Sequence, residues 1–244
     1  MDRPAFSVTS DATLHFATVT LTRPEIGNRL LTEDLQAFGR AILSAGSDPS
    51  IKVVLVRAEG EQFCMGRDPG PGVPSAKTAL QTRAGVAEPI LGLYADLRAT
   101  AVPVIAVVQG EARGFGCAFV GQCDLAIAAE TATFSLPEMD VNLPPTLAIS
   151  AVLGKVLPKR LMHLVYTRQR IGAREALDLG FLSEVVPPAD LDGAVAATVA
   201  CLTDRTRPAL EAVKEYLLVA PQLDPVAASR YASSLLSVVL SSRA

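Results

Sequence analysis

Val102-Pro103-Val104-Ile105-Ala106-Val107-Val108, followed at once by Gln109-Gly110-Glu111-Ala112-Arg113-Gly114-Phe115-Gly116-Cys117-Ala118, decides how this chain is read. The first half is a continuous, mostly β-branched apolar run, which suits a strand buried on both faces. The second half is a glycine-rich turn that opens a short helix. Unpaired N–H groups at a helix N-terminus, aided by the helix dipole, stabilise negative charge. Phosphate is the usual inference, yet Gly110, Gly114 and Gly116 form neither a Walker loop nor a GxGxxG dinucleotide loop. An oxyanion hole uses the same physics on a developing enolate or alkoxide.

Outward from this stretch, residues 15–21, 51–56 and 124–129 are further apolar strand candidates. Between them, Thr32 is expected to cap a helix from Glu33, with Leu35, Phe38 and Ile42 at helical spacing. Ile90, Leu93 and Leu97 mark a second helix. From about residue 145 the chain reads as almost wholly helical, with segments at 174–179, 191–202, 208–218 and 227–240. Strands alternating with helices give an α/β class with a helical C-terminal third. The irregular stretch 69–74 (PGPGVP) reads as a loop beside a site.

Composition narrows the function. The 244 residues are 50% hydrophobic with a mean hydropathy of +0.33, which excludes disorder as the main state. A net charge of −3 argues against a nucleic-acid binder, and 5% aromatics with no Trp against a base-stacking platform. No apolar run approaches the roughly 18 residues of a membrane helix, and the N-terminus lacks a signal-peptide core, so a cytoplasmic protein without a membrane partner is expected. Cys64, Cys117, Cys123 and Cys201 have no metal-ligand spacing; reduced thiols and no metal are expected. His15, in a strand, and His163, in a helix, read as ordinary surface or packed residues.

Two more stretches can carry chemistry. Phe63-Cys64-Met65-Gly66-Arg67-Asp68 places a glycine bend after a strand, where a backbone N–H can point into a cleft. Phe134-Ser135-Leu136-Pro137-Glu138-Met139 sets Glu138 among apolar neighbours, where a carboxylate gains proton affinity and can act as base and then acid.

In this order the three stretches resemble the crotonase (enoyl-CoA hydratase/isomerase) superfamily. Residues 63–68 match its first oxyanion motif, Phe-Ser-Ala-Gly-Ala-Asp, and residues 110–116 its second, Gly-x-Ala-x-Gly-Gly-Gly. Gly27-Asn28-Arg29-Leu30 is similar to an early His-Asn-Ala-Leu, and 171–186 (IGAREALDLGFLSEVV) to a family signature that 208–214 continues. The likeness runs from about residue 10 to 235.

The resemblance implies a ClpP-like spiral of ββα units over 1–190 and a helical trimerisation region over 191–244, shorter than the family's. It implies a homotrimer or dimer of trimers acting on an acyl-CoA thioester, with coenzyme A as part of the substrate and no separate cofactor. The backbone N–H groups of Arg67 and Phe115 would hold the thioester oxygen. The family has Ala and Gly there, so the donors persist while Phe115 narrows the acyl channel and Arg67 could attract a carboxylate or phosphate. Arg29, Met65, Gly66, Asp68, Gly114 and Lys214 fall at substrate- or CoA-binding positions, Arg29 and Lys214 as candidate phosphate contacts. Residues 69–90 and those after Glu138 would line the acyl pocket, with Pro144-Pro145 stiffening one wall. Arg113 could steer an acidic acyl group.

Hydratases of the family use two glutamates. Glu138 matches the second; Ala118 stands where the first belongs, and Glu111 points elsewhere by register. The resemblance therefore implies double-bond isomerisation by a single carboxylate. Hydration of a 2-enoyl-CoA and acyl-CoA binding without turnover are the alternatives.

Overall fold

The computed structural model describes residues 3–70 and 78–241. Its first elements are β1 (Phe6–Asp11), β2 (Phe16–Leu21), β3 (Leu30–Leu31), α1 (Thr32–Ser47), β4 (Val53–Ala58) and β5 (Arg67–Asp68). The middle holds α2 (Ala79–Thr82), α3 (Glu88–Ala99), β6 (Val104–Val108), β7 (Ala112–Arg113), α4 (Phe115–Gln122), β8 (Leu125–Ala129) and β9 (Thr133–Ser135). Then follow α5 (Thr146–Val152), α6 (Pro158–Thr167), β10 (Ile171–Gly172), α7 (Ala173–Leu179), β11 (Glu184–Val186), α8 (Leu191–Thr203), α9 (Arg207–Val219) and α10 (Pro225–Ser241).

A long strand, a short strand and a helix recur as a unit: β2-β3-α1, β4-β5-α2, β6-β7-α4 and β8-β9-α5. The long strands, with β1 and β11, form a sheet of order β1-β2-β4-β6-β8-β11. It is parallel apart from β1, which pairs antiparallel with β2. The short strands pair separately, β3 with β5 and β10-β9-β7. This second layer stands beyond the carboxyl ends of the parallel strands, where open α/β sheets place their ligands.

The continuous apolar runs are explained by burial on both faces. Val19, Val54, Val56, Ala106 and Val108 face Leu35, Phe38 and Ile42 of α1 and Leu93 and Leu97 of α3 in one core. Their neighbours Val53, Leu55, Ile105, Val107 and Ile127 face Leu191, Val195 and Val199 of α8 in a second. α8 therefore covers the sheet, whereas α10 packs on α9 with Tyr216 and Tyr231 stacked at 6.3 Å.

Several expectations are corrected in detail. His15 lies in the turn before β2 at φ +61°, its Nδ1 2.8 Å from the Ser50 carbonyl. β6 begins at Val104 because Pro103 has no N–H, although its carbonyl accepts from Val54 N–H. α1 starts one residue early: Leu31 N–H donates to Asp34 Oδ2 at 2.9 Å. The helical C-terminal third also contains β10 and β11. Residues 71–74 of the expected loop lie outside the described residues. No helix among those described is long and apolar enough to cross a membrane.

Candidate active site

Three turns meet beyond β4, β6 and β8, each fixed to the next by backbone bonds. Leu30 N–H donates to Gly66 C=O at 3.2 Å, Arg113 N–H to Cys64 C=O at 2.9 Å, and Gly114 N–H to Ser135 C=O at 2.8 Å. Asn28, 1% exposed, supports the first turn by donating Nδ2–H to the carbonyls of Glu59 and Gln62, both at 2.9 Å. The close approach of the first two turns demands glycine at 116, where a Cβ would lie 2.2 Å from the Cys64 carbonyl oxygen.

Two backbone N–H groups are aimed by this scaffold. Gly66, at φ +105°, bends the chain; its carbonyl faces Leu30. In a trans peptide the next N–H points the opposite way, so Arg67 N–H faces away from β3. A Cβ on Gly66 would lie 3.9 Å from Phe115 N, which places the second donor alongside. Phe115 is the first residue of α4, and the Gly114 carbonyl runs down the helix to Ala118 N–H at 3.0 Å. Phe115 N–H therefore points out of the helix start.

Glu138 closes the third turn, held by Leu143 N–H donating to its carbonyl at 3.1 Å. Its carboxylate packs on Gly114, where a Cβ would lie 3.3 Å from Oε1. Oε2 is buried without a hydrogen-bond partner among the described residues. Burial pushes the carboxyl pKa up, while its own backbone N–H and the Arg113 guanidinium pull it down. Cys64 and Cys117, beside the turns, are also held up by burial, Cys64 to about 11, so both remain neutral thiols. At the far end of α4, Lys155 Nζ donates to the carbonyls of Gly121, Gln122 and Cys123.

A profile described as "Enoyl-CoA hydratase/isomerase" matches residues 12–241. The chain belongs to the enoyl-CoA hydratase/isomerase family. It is 33% identical to (E)-benzylidenesuccinyl-CoA hydratase of Thauera aromatica, over 75% of this chain and 71% of that one. It is 32% identical to the human mitochondrial enoyl-CoA hydratase domain-containing protein 3 over 71% of this chain, spanning 56% of that protein. The fold matches the crystal structure of an enoyl-CoA hydratase of Mycobacterium smegmatis with a TM-score of 0.90 at 27% identity, covering 98% of this chain and 91% of that one. A protein of Thermobifida fusca YX, solved in complex with CoA, matches with a TM-score of 0.83 at 26% identity, covering 98% and 94%. This enoyl-CoA hydratase/isomerase family member has the crotonase fold and acts on acyl-CoA.

Not every expected position of the family member reaches the cleft. Glu138, Gly114, Gly66 and the N–H groups of Arg67 and Phe115 come together. Arg29 and Met65 line an adjoining cleft of about 600 Å³ with Gly27, Glu61 and Gln62. Lys214 does not reach it: Nζ is buried, 2.7 Å from Asp124 Oδ2, and donates to the carbonyls of Leu97 and Val102. Asp68 Oδ1 instead accepts Gly70 N–H at 2.8 Å, and Arg67 Nη1 lies 3.4 Å from Thr32 Oγ1. Phe115 is 8% exposed and its ring stacks on Tyr94, so it packs into the core rather than across a channel. Glu111 pairs with Arg170 at 3.1 Å. Pro144 and Pro145 line an apolar cavity of about 300 Å³ with Met139, Ile149 and Leu161. Tyr94 escaped sequence reading because its place between Leu93 and Leu97 marks an ordinary buried helix face. Among the described residues no group of His, Cys, Asp and Glu could hold a metal ion.

Proposed function

We propose that the protein isomerises the double bond of an enoyl-CoA, with Glu138 as the single acid–base group. The supporting observation is a half-buried carboxylate with an orphaned oxygen beside two convergent N–H groups, while Ala118 supplies no second carboxylate. Arg67 and Phe115 N–H would hold the thioester oxygen as negative charge develops on it. Glu138 takes the α-proton of a 3-enoyl-CoA, leaving a dienolate, and returns a proton at the γ carbon. One carboxylate suffices because each transfer leaves it ready for the next. CoA enters as part of the substrate, with Arg29 at the rim of the adjoining cleft as its phosphate contact.

Hydration is the second reading, favoured by the hydratase names of the relatives. It lacks the second acid–base group, and such a group contributes about 10²–10⁴-fold. Mass spectrometry in D₂O with 2-enoyl- and 3-enoyl-CoA thioesters separates the two. Deuterium uptake or a moved double bond without added water supports isomerisation; gain of one water overturns it in favour of hydration. Glu138→Gln is expected to lower turnover by about 10²–10⁴-fold while acyl-CoA still binds; unchanged turnover removes Glu138 from the mechanism.

For the assembly we propose a homotrimer or dimer of trimers. Support comes from apolar side chains that the single chain leaves exposed on α9 and α10, among them Val213, Leu217, Leu236 and Val238.

A further inference from the structure

α4 carries the Phe115 N–H at its first residue, and all eight of its residues are buried. At ~1.5 Å per residue the helix is about 12 Å long, so its far end lies well away from the cleft. That end is held by Lys155. The Nζ donates to the carbonyls of Gly121 at 3.0 Å, Gln122 at 2.7 Å and Cys123 at 3.3 Å. A neutral amine has two N–H groups and an ammonium three, so three carbonyl partners require the charged form. A cation at a helix C-terminus also complements the helix dipole. Lys155 is itself fixed, its backbone N–H donating to the Val152 carbonyl at 3.0 Å just beyond α5. At the near end of α4, Gly116 sits so close to the Cys64 carbonyl that no Cβ fits between them. The helix is thus clamped between the first turn of the cleft and Lys155.

We propose that Lys155 is a positioning residue for the Phe115 N–H, its ammonium holding α4 along the helix axis so that this donor keeps its place beside Arg67 N–H. Hydrogen bonds along α4 carry the constraint, from Ala118 N–H to the Gly114 carbonyl at 3.0 Å through to Cys123 N–H to that of Phe119 at 3.1 Å. A packed helix moves as a unit, so release at one end is felt at the other. Displacing a catalytic donor by about 1 Å is enough to slow a reaction. Lys155 touches no substrate and gives up no proton. The inference rests on Phe115 N–H as a donor to the thioester oxygen.

Lys155→Met keeps the apolar stem and removes the ammonium. Its kcat is expected to fall about tenfold with KM within about twofold, since an oxyanion donor acts chiefly on the transition state. Infrared difference spectra of a bound saturated acyl-CoA, labelled with ¹³C at the thioester carbonyl, give a second readout. The wild type is expected to lower the carbonyl stretch and the variant to lower it less. A third readout needs no ligand. In protein labelled with ¹⁵N-phenylalanine, the Phe115 amide resonance, identified by its loss in Phe115→Leu, is expected to move in Lys155→Met. Leu191→Ala, which opens a cavity under α8 in the second core, is expected to leave that resonance in place. A Phe115 resonance that stays put in Lys155→Met, or that Leu191→Ala moves as far, overturns the proposal; so do wild-type kcat and carbonyl stretch in the variant. If the wild type neither converts an enoyl-CoA nor lowers the stretch while the resonance still moves, the reading of the cleft fails and the positioning of this N–H stands. Should Lys155→Met not fold, Lys155→Gln, which keeps two N–H donors and drops the charge, takes its place with the same expectations.

Discussion

At Glu138, stability and the proposed chemistry pull in opposite directions. Burial raises its folded-state pKa above the ordinary 4.5, so the native state holds a proton that the unfolded chain has released. Between those two values the native state binds more protons, and stability falls as pH rises through the folded pKa. Glu138→Gln is therefore expected to raise Tm at neutral pH, with the gain vanishing below about pH 4, where both states are protonated; scanning calorimetry across pH checks this. Gly116→Ala should act the other way. Its Cβ would strike the Cys64 carbonyl, so about 1–3 kcal/mol of stability is lost in chemical denaturation, and turnover with it. At this scale the sequence showed Glu138 and the glycine turns, because a carboxylate among apolar residues and glycines after strands leave marks in the chain itself. It did not show that Phe115 folds inward onto Tyr94 or that Lys214 is spent on Asp124, since both depend on residues far apart in sequence.

At the level of elements, α9 is tied to the core by two cations, Arg207, which donates to the carbonyls of Gly46 and Ile51, and the buried Lys214. Lys214 Nζ meets Asp124 Oδ2 and the carbonyls of Leu97 and Val102, while Asp124 Oδ2 also accepts Val104 N–H at 2.8 Å. Lys214→Met is expected to destabilise by about 1–3 kcal/mol, because it removes the donor to two carbonyls and the cation beside a partly exposed carboxylate. Adding Asp124→Asn should recover part of that loss, as a double-mutant cycle in urea would show. The elements legible in the sequence were those with strong periodicity: the β4, β6 and β8 runs and helices α1, α3, α8, α9 and α10, with ends displaced by a residue or two. β1 was missed because FSVTSD is an edge strand whose side chains are mostly exposed. β3, β5, β7 and β10 span two residues each, too few to show a period.

For the whole molecule, light scattering after gel filtration is expected to give three or six times the 25.6 kDa of one chain, and a monomer would refute the proposed assembly. The family was legible at this scale because its motifs stand in order along nearly the whole chain, whereas no single motif carries the assignment. The same order governs how the protein comes into being. The three turns are supplied by segments scattered from residue 28 to residue 138 and are stitched by bonds running from Leu30 to Gly66, Cys64 to Arg113 and Gly114 to Ser135. The cleft is complete only when all of these segments have paired, and such distant pairings are slow to form because loop-closure entropy opposes them. Regain of catalysis should therefore follow the last, rate-limiting folding event in one phase, making enzymatic activity a clock for completion of the native state.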